Sequence, residues 1–184
     1  MYRYLLSLFS LLGACLMLFS APAHALCVSP EAEGEWVSHP TRGIIAELDV
    51  GFLCQDQILN GQPYPPGDPH TLHAFGDCLP TSCDWGERAA AYDGTWHTAT
   101  YDFGWATKTV WAKMSAYYAG ELYVWIYTDF RDGRVDYSDS GYMIRRASSC
   151  IDDCGSVAPD GCWCDASCID FGDCCIDKVE VCDL

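Results

Sequence analysis

The stretch TKTVWAKMSAYYAGELYVWIY, residues 107–127, decides the fold class. Along Thr107 to Tyr117, Val110, Ala112 and Met114 fall on one face, while Thr109, Trp111, Lys113 and Ser115 fall on the other. After a turn near Ala119-Gly120, Leu122, Val124 and Ile126 share a face, and Tyr123, Trp125 and Tyr127 share its opposite. Two runs of period two joined by a glycine-containing turn predict a β-hairpin with one aliphatic and one aromatic face.

The same period recurs on either side. Upstream, Ile44, Ala46, Leu48 and Val50 alternate with Ile45, Glu47 and Asp49, which predicts a half-buried strand. Asn60 to Pro69 is rich in Pro and Gly and reads as a long surface loop. Further strands are expected at Leu72 to Gly76, Arg88 to Tyr92 and Thr95 to Phe103, with Asp93-Gly94 as a turn signal. Downstream, Asp132-Gly133 turns the chain into a last strand around Val135 to Ile144. Seven or eight antiparallel strands without helical periodicity predict an antiparallel β-barrel or compact sandwich over residues 27–146.

The compartment follows from the start of the chain. Arg3, the apolar run Leu5 to Phe19 and Ala23-His24-Ala25 form a secretory signal with cleavage expected after Ala25. The competing lipoprotein reading at Leu12-Gly13-Ala14-Cys15 is disfavoured because the apolar run continues past Cys15. The signal is too short for a membrane span. The protein is therefore expected to be secreted or periplasmic. Of its 13 cysteines, 12 lie beyond the signal, an even number suited to full pairing in an oxidising compartment. A net charge of −16 and the lack of a basic patch exclude nucleic acid as a natural partner.

Cys78 and Cys83 are close enough in sequence to close a small loop, which leaves Cys27 and Cys54 for each other. The remaining eight lie at Cys150, Cys154, Cys162, Cys164, Cys168, Cys174, Cys175 and Cys182. So short a segment buries too little apolar surface to fold by packing alone, so crosslinks must hold it. Zinc is a poor alternative, because a secreted chain favours oxidation of its cysteines to disulfides.

The spacing, with C-x-C at 162–164, Asp165 after it, and Phe171 before Asp173-Cys174-Cys175, is similar to that of the somatomedin B domain. The resemblance implies a disulfide knot over residues 150–182 with the pairs Cys150–Cys164, Cys154–Cys182, Cys162–Cys175 and Cys168–Cys174. It also implies a protein-interaction module whose contact surface includes Asp165, Asp170 and Phe171. Nine acidic residues against Lys178 from Cys150 to Leu184 would favour a basic partner. Solubility alone also accounts for so many acids.

A second resemblance covers Gly34-Glu35-Trp36-Val37, Thr41-Arg42-Gly43-Ile44, His73-Ala74-Phe75-Gly76-Asp77-Cys78, Pro80-Thr81-Ser82-Cys83-Asp84-Trp85-Gly86 and Thr128-Asp129-Phe130-Arg131-Asp132-Gly133. These resemble an uncharacterised family of secreted bacterial domains, which implies a shared fold and no mechanism. Gly34-x-Trp36 is also similar to the first strand of avidin-like and lipocalin-like barrels, where a Trp plugging the barrel end is the simplest reading.

No catalytic signature is present. His39, His70, His73 and His97 lie outside any HExxH, and there is neither a G-x-S-x-G elbow nor a Gly-rich phosphate loop. The acids Asp129, Asp132, Asp136 and Asp139 do not have EF-hand spacing and read as a solvated turn. The expectation is a binding protein without catalytic residues, cofactor or metal. Its leading function is extracellular protein–protein interaction through the acidic knot. The alternative is a carbohydrate or small ligand on the barrel, with Trp111, Tyr123, Trp125 and Tyr127 as candidate ligand-binding residues. Those four rings are otherwise expected to be barrel core, the aliphatic face being covered by the C-terminal module or by the loop Asn60 to Pro69.

Overall fold

The computed structural model describes residues 27–182, so the expected signal sequence and Cys15 lie outside it. Eleven strands follow in order: β1 (Gly34–Ser38), β2 (Glu47–Phe52), β3 (Gln57–Leu59), β4 (Gln62–Tyr64), β5 (His70–Gly76), β6 (Cys83–Ala89), β7 (Ala91–Tyr92), β8 (His97–Asp102), β9 (Ala106–Met114), β10 (Leu122–Phe130) and β11 (Tyr137–Arg145). A 3-10 turn (Arg146–Ser148) leads into a segment with two short helices, α1 (Cys168–Phe171) and α2 (Lys178–Cys182).

Nine strands form one antiparallel sheet in the order β6-β5-β2-β1-β11-β10-β9-β8-β7. Its two end members, β6 and β7, are successive parts of one stretch of chain, interrupted at Ala90. The first part pairs with β5 and the second with β8. The Ala90 N–H donates to the His70 carbonyl at 2.8 Å. The sheet is thereby bent into a nearly closed up-and-down barrel, which removes the exposed edges an open sheet would present. Where β6 and β8 have no ladder between them, side chains bridge the gap. The Tyr101 hydroxyl donates to the Leu72 carbonyl at 2.8 Å, and the Trp85 ring meets Tyr101 edge-on at 5.5 Å.

The hairpin predicted from 107–127 is β9–β10, with Trp111 opposite Trp125 and Val110 opposite Ile126. Its faces are the reverse of the expectation that the rings form the core. Val110, Ala112, Leu122, Val124 and Ile126 are buried inside the barrel with Leu48, Val50, Leu72 and Ala99, and the aromatic face is outside. The reason is width: a barrel of this few strands is only wide enough for its inward side chains to fill, so small and branched residues go in. Neither the C-terminal segment nor the loop is needed to cover the aliphatic face.

Two further expectations change. Asn60 to Pro69 is not wholly irregular: β3 and β4 form a separate two-stranded hairpin around Asn60-Gly61, both at positive φ (53° and 79°). Asn-Gly is the favoured pair for such a tight turn, and the hairpin stays fully exposed beside the barrel. The strand read from Ile44 begins only at Glu47, leaving Ile44 and Ile45 to pack on the core from one barrel end.

Trp36 closes the other end. It is fully buried, and its Nε1–H donates to the Ala32 carbonyl at 2.9 Å. The Arg145 guanidinium lies 4.4 Å from its ring centre and donates to the Glu33 and Glu31 carbonyls at 2.9 and 2.5 Å. The N-terminal arm is fixed across the barrel end in this way, and the Cys27–Cys54 disulfide ties it to the end of β2.

The barrel-closing bond makes a direct prediction. Tyr101→Phe should lower unfolding free energy by about 1–2 kcal/mol, read as a reduced urea midpoint at unchanged slope, because it removes a buried hydroxyl–carbonyl bond and leaves the ring in place. An unchanged midpoint would contradict bridging at this gap.

Candidate functional site

All twelve cysteines of the described residues are paired. Besides Cys27–Cys54, the disulfides are Cys78–Cys83, Cys150–Cys164, Cys154–Cys182, Cys162–Cys175 and Cys168–Cys174. Six disulfides mark an oxidising environment. Among the described residues no helix is long and apolar enough to cross a membrane. Cys150, Cys164 and Cys175 lie close enough together to suggest a metal cluster, but each sulfur is already committed to a disulfide.

The C-terminal segment has a small core of cysteines and Ala158. A buried Asp177 fixes its entry, accepting from the Ser149 hydroxyl at 2.5 Å and the Cys150 N–H at 2.9 Å. Asp165 is half-buried and occupied: its Oδ1 accepts from the N–H groups of Ser167 and Cys168 at 2.9 and 3.0 Å, capping α1. Its place is structural, at the start of α1. Asp170 is exposed and Phe171 is 79% exposed, followed by Gly172 in the left-handed conformation that ends the helix. Ile169 and Trp163 are also exposed. A depression of about 360 Å³ lies between Trp163 and Phe171, rimmed by Asp165 and Asp173. Sequence reasoning did not single out Trp163; its signal was the ring enclosed in the C-x-C of 162–164.

The segment is held to the barrel by charge as well as by the chain. Arg146 pairs with both Glu35 and Glu47 on the outside of β1 and β2. Val37 and Ile144 face outward in register and are nonetheless buried. Nearby, His39 titrates below its usual range because burial and the Arg42 cation disfavour its charge, against smaller opposing pulls from Glu121, Glu180 and Asp177.

The hairpin rings stand on the outer wall. Trp111 and Trp125 stack at 4.4 Å, Tyr123 meets Trp96 and Tyr142, and the Tyr127 hydroxyl donates to Asp136 at 3.2 Å. Trp125 and Tyr127 are about one-third exposed. None of the four rings lines the barrel mouth, and Tyr123 borders a separate cleft with Tyr142 and Lys113.

That mouth is a concavity of about 540 Å³ at the end of the barrel where β6 parts from β8. Its walls include Trp85, Phe103, Trp105 and Tyr137, with Ile126 and Thr128 deeper in. Lys108 projects inward here. Its Nζ donates to the buried Thr128 Oγ1 at 3.0 Å and sits 5.5 and 5.6 Å from the ring centres of Trp85 and Tyr137. Gly76 is required at this wall, because a Cβ there would come within 2.6 Å of the Trp85 Nε1. Of the acid run, Asp139 reaches the mouth, whereas Asp132 pairs with Arg134 and Asp136 accepts the Phe130 N–H at 2.8 Å.

At the opposite end, His97 is 1% exposed with neither ring nitrogen hydrogen-bonded, and Tyr92 stacks on it at 4.4 Å. Burial, with a smaller contribution from His70, lowers its pKa to about 4, opposed only weakly by Asp93. His73 pairs with Asp84 at 2.6 Å on the outer wall; this bond and the Gly86 N–H hold the Asp84 carboxyl below the usual range. Among the described residues no hydroxyl or thiol is hydrogen-bonded to His73.

Comparison with protein-family models, curated proteins and solved structures finds no match.

His97 yields a pH prediction. Its folded pKa lies below the ordinary value of 6.5, so the neutral ring contributes stability that is fully present above pH 6.5 and lost as pH falls towards 4. The loss should reach roughly 3 kcal/mol below pH 4. His97→Phe should shift acid unfolding to lower pH, measured by near-ultraviolet circular dichroism. An acid transition identical to that of the parent would rule out His97 as its source.

Proposed function

We propose that the protein is secreted after cleavage at Ala25 and binds another extracellular protein through the outer face of a somatomedin-B-like C-terminal module. The observation that carries this reading is Phe171, a large aromatic ring 79% exposed on a segment fixed by four disulfides. Those disulfides join the pairs that the sequence resemblance implies. A ring carried on a backbone fixed by disulfides needs little ordering of the chain on binding, and exposed aromatics with acidic neighbours suit a hot spot steered by charge. Trp163 across the depression adds a second ring, and Asp170 and Asp173 supply negative charge beside them. Basic surface on the partner is expected.

The experiment is capture from extracellular medium on the immobilised mature chain. A basic protein should be retained, weakened about 30-fold by Phe171→Ala, as expected for an anchor worth about 2 kcal/mol, and released by high salt. Retention indifferent to both would remove this face from consideration.

A second reading, small-ligand binding by the barrel, is favoured by the mouth cavity of about 540 Å³, within the range of small-molecule sites.

A further inference from the structure

Resting on the small-ligand reading of the barrel mouth, the chemistry of its walls narrows the ligand. Most of the wall is ring surface: Trp85, Phe103, Trp105 and Tyr137 surround the opening. Trp105 and Tyr137 are about half exposed; Arg134 and Phe130 pack against Trp105, so the exposed part of Tyr137 is the more open to a guest. Ring walls of this kind favour flat, unsaturated molecules, which stack at low cost.

Among the described residues, the positive charge that lines the mouth is Lys108. An inward-pointing ammonium costs free energy unless it is compensated. Here it spends one of three N–H donors on a neutral acceptor, Thr128 Oγ1, and has the faces of Trp85 and Tyr137 beside it. Among the described residues no carboxylate lies within ion-pairing distance of it, although the chain carries 26 acids. Packing does not demand a lysine here, since its neighbours at the same inward register, Ala106, Val110 and Ala112, are apolar.

The carboxylates around the mouth set an upper limit on charge. Asp77, Asp84 and Asp139 line it. Asp84 is engaged by His73 and the Gly86 N–H, and Asp139 by the Ser140 N–H. Their field admits one negative group next to Lys108 and repels a polyanion such as a nucleotide or a sulfated glycan.

We propose that the barrel mouth binds a flat aromatic molecule bearing one carboxylate, with Lys108 as its counter-ion and Trp85 and Tyr137 as its stacking walls.

Isothermal titration of the intact mature protein with three probes tests this: naphthalene-2-carboxylate, naphthalene-2-carboxamide and 2-naphthylmethylamine. The carboxylate should bind about tenfold or more tightly than the carboxamide, and the amine most weakly. Lys108→Gln keeps a donor for Thr128 and removes the charge. It should abolish the preference for carboxylate over carboxamide, and Tyr137→Ala, at a half-exposed rim position, should weaken both. Equal binding of carboxylate and carboxamide, or a preference that survives Lys108→Gln, would overturn the proposed ligand class and leave the small-ligand reading standing. No binding of any probe would overturn both.

Discussion

The contact on which the rest of the molecule depends is the Arg145 guanidinium laid over the buried Trp36 ring at 4.4 Å. Arg145 is the last residue of the last strand, and Trp36 lies in the first. One side chain therefore joins the two ends of the meander and, through the Glu31 and Glu33 carbonyls, locks the N-terminal arm across the barrel end. The planar fork suits this task, since it stacks on an aromatic face while donating in its own plane. Closing one end leaves the concavity at the other, where β6 diverges from β8.

From the same place the chain runs into the cysteine-rich segment. Arg146 turns outward to Glu35 and Glu47, and Ser149 and Cys150 are received by Asp177. The link is short and bonded on both sides. Division of labour follows from how each part is held. The barrel hides its apolar residues in a conventional core, whereas the disulfides hold the C-terminal segment with few such residues and leave Ile169, Phe171 and Ile176 outside. Crosslinks that replace a core release rings for the surface.

Much of the barrel was legible in the sequence, because alternation along 107–127 and 137–144 sets strand pairing directly. Which face points inward was not, since both faces of that hairpin are apolar and only the width of the closed barrel discriminates between them. The mouth was half legible. Carrying the inward parity of Val110 and Ala112 back two residues reaches Lys108, and carrying that of Ala99 and Tyr101 back reaches His97. A polar residue at an apolar position was the available signal at both places. Trp85 and Phe103 could not be located from the sequence, because their meeting depends on a gap between strands far apart in the ladder. On the C-terminal segment, the exposure of Phe171 follows its spacing before the paired cysteines, whereas the capping role of Asp165 is a matter of backbone geometry.

Seven tryptophans are spread over these regions, which allows one measurement to address the whole arrangement. Fluorine NMR of the protein labelled with 5-fluorotryptophan, recorded with a soluble paramagnetic quencher, reads the solvent access of each ring. The Trp36 resonance should be untouched, and those of Trp105 at the mouth and Trp163 on the disulfide-held segment strongly broadened. Broadening of Trp36 to the same degree as Trp105, or a protected Trp163, would contradict a barrel plugged at one end, open at the other, and followed by a disulfide-held segment with its rings outside.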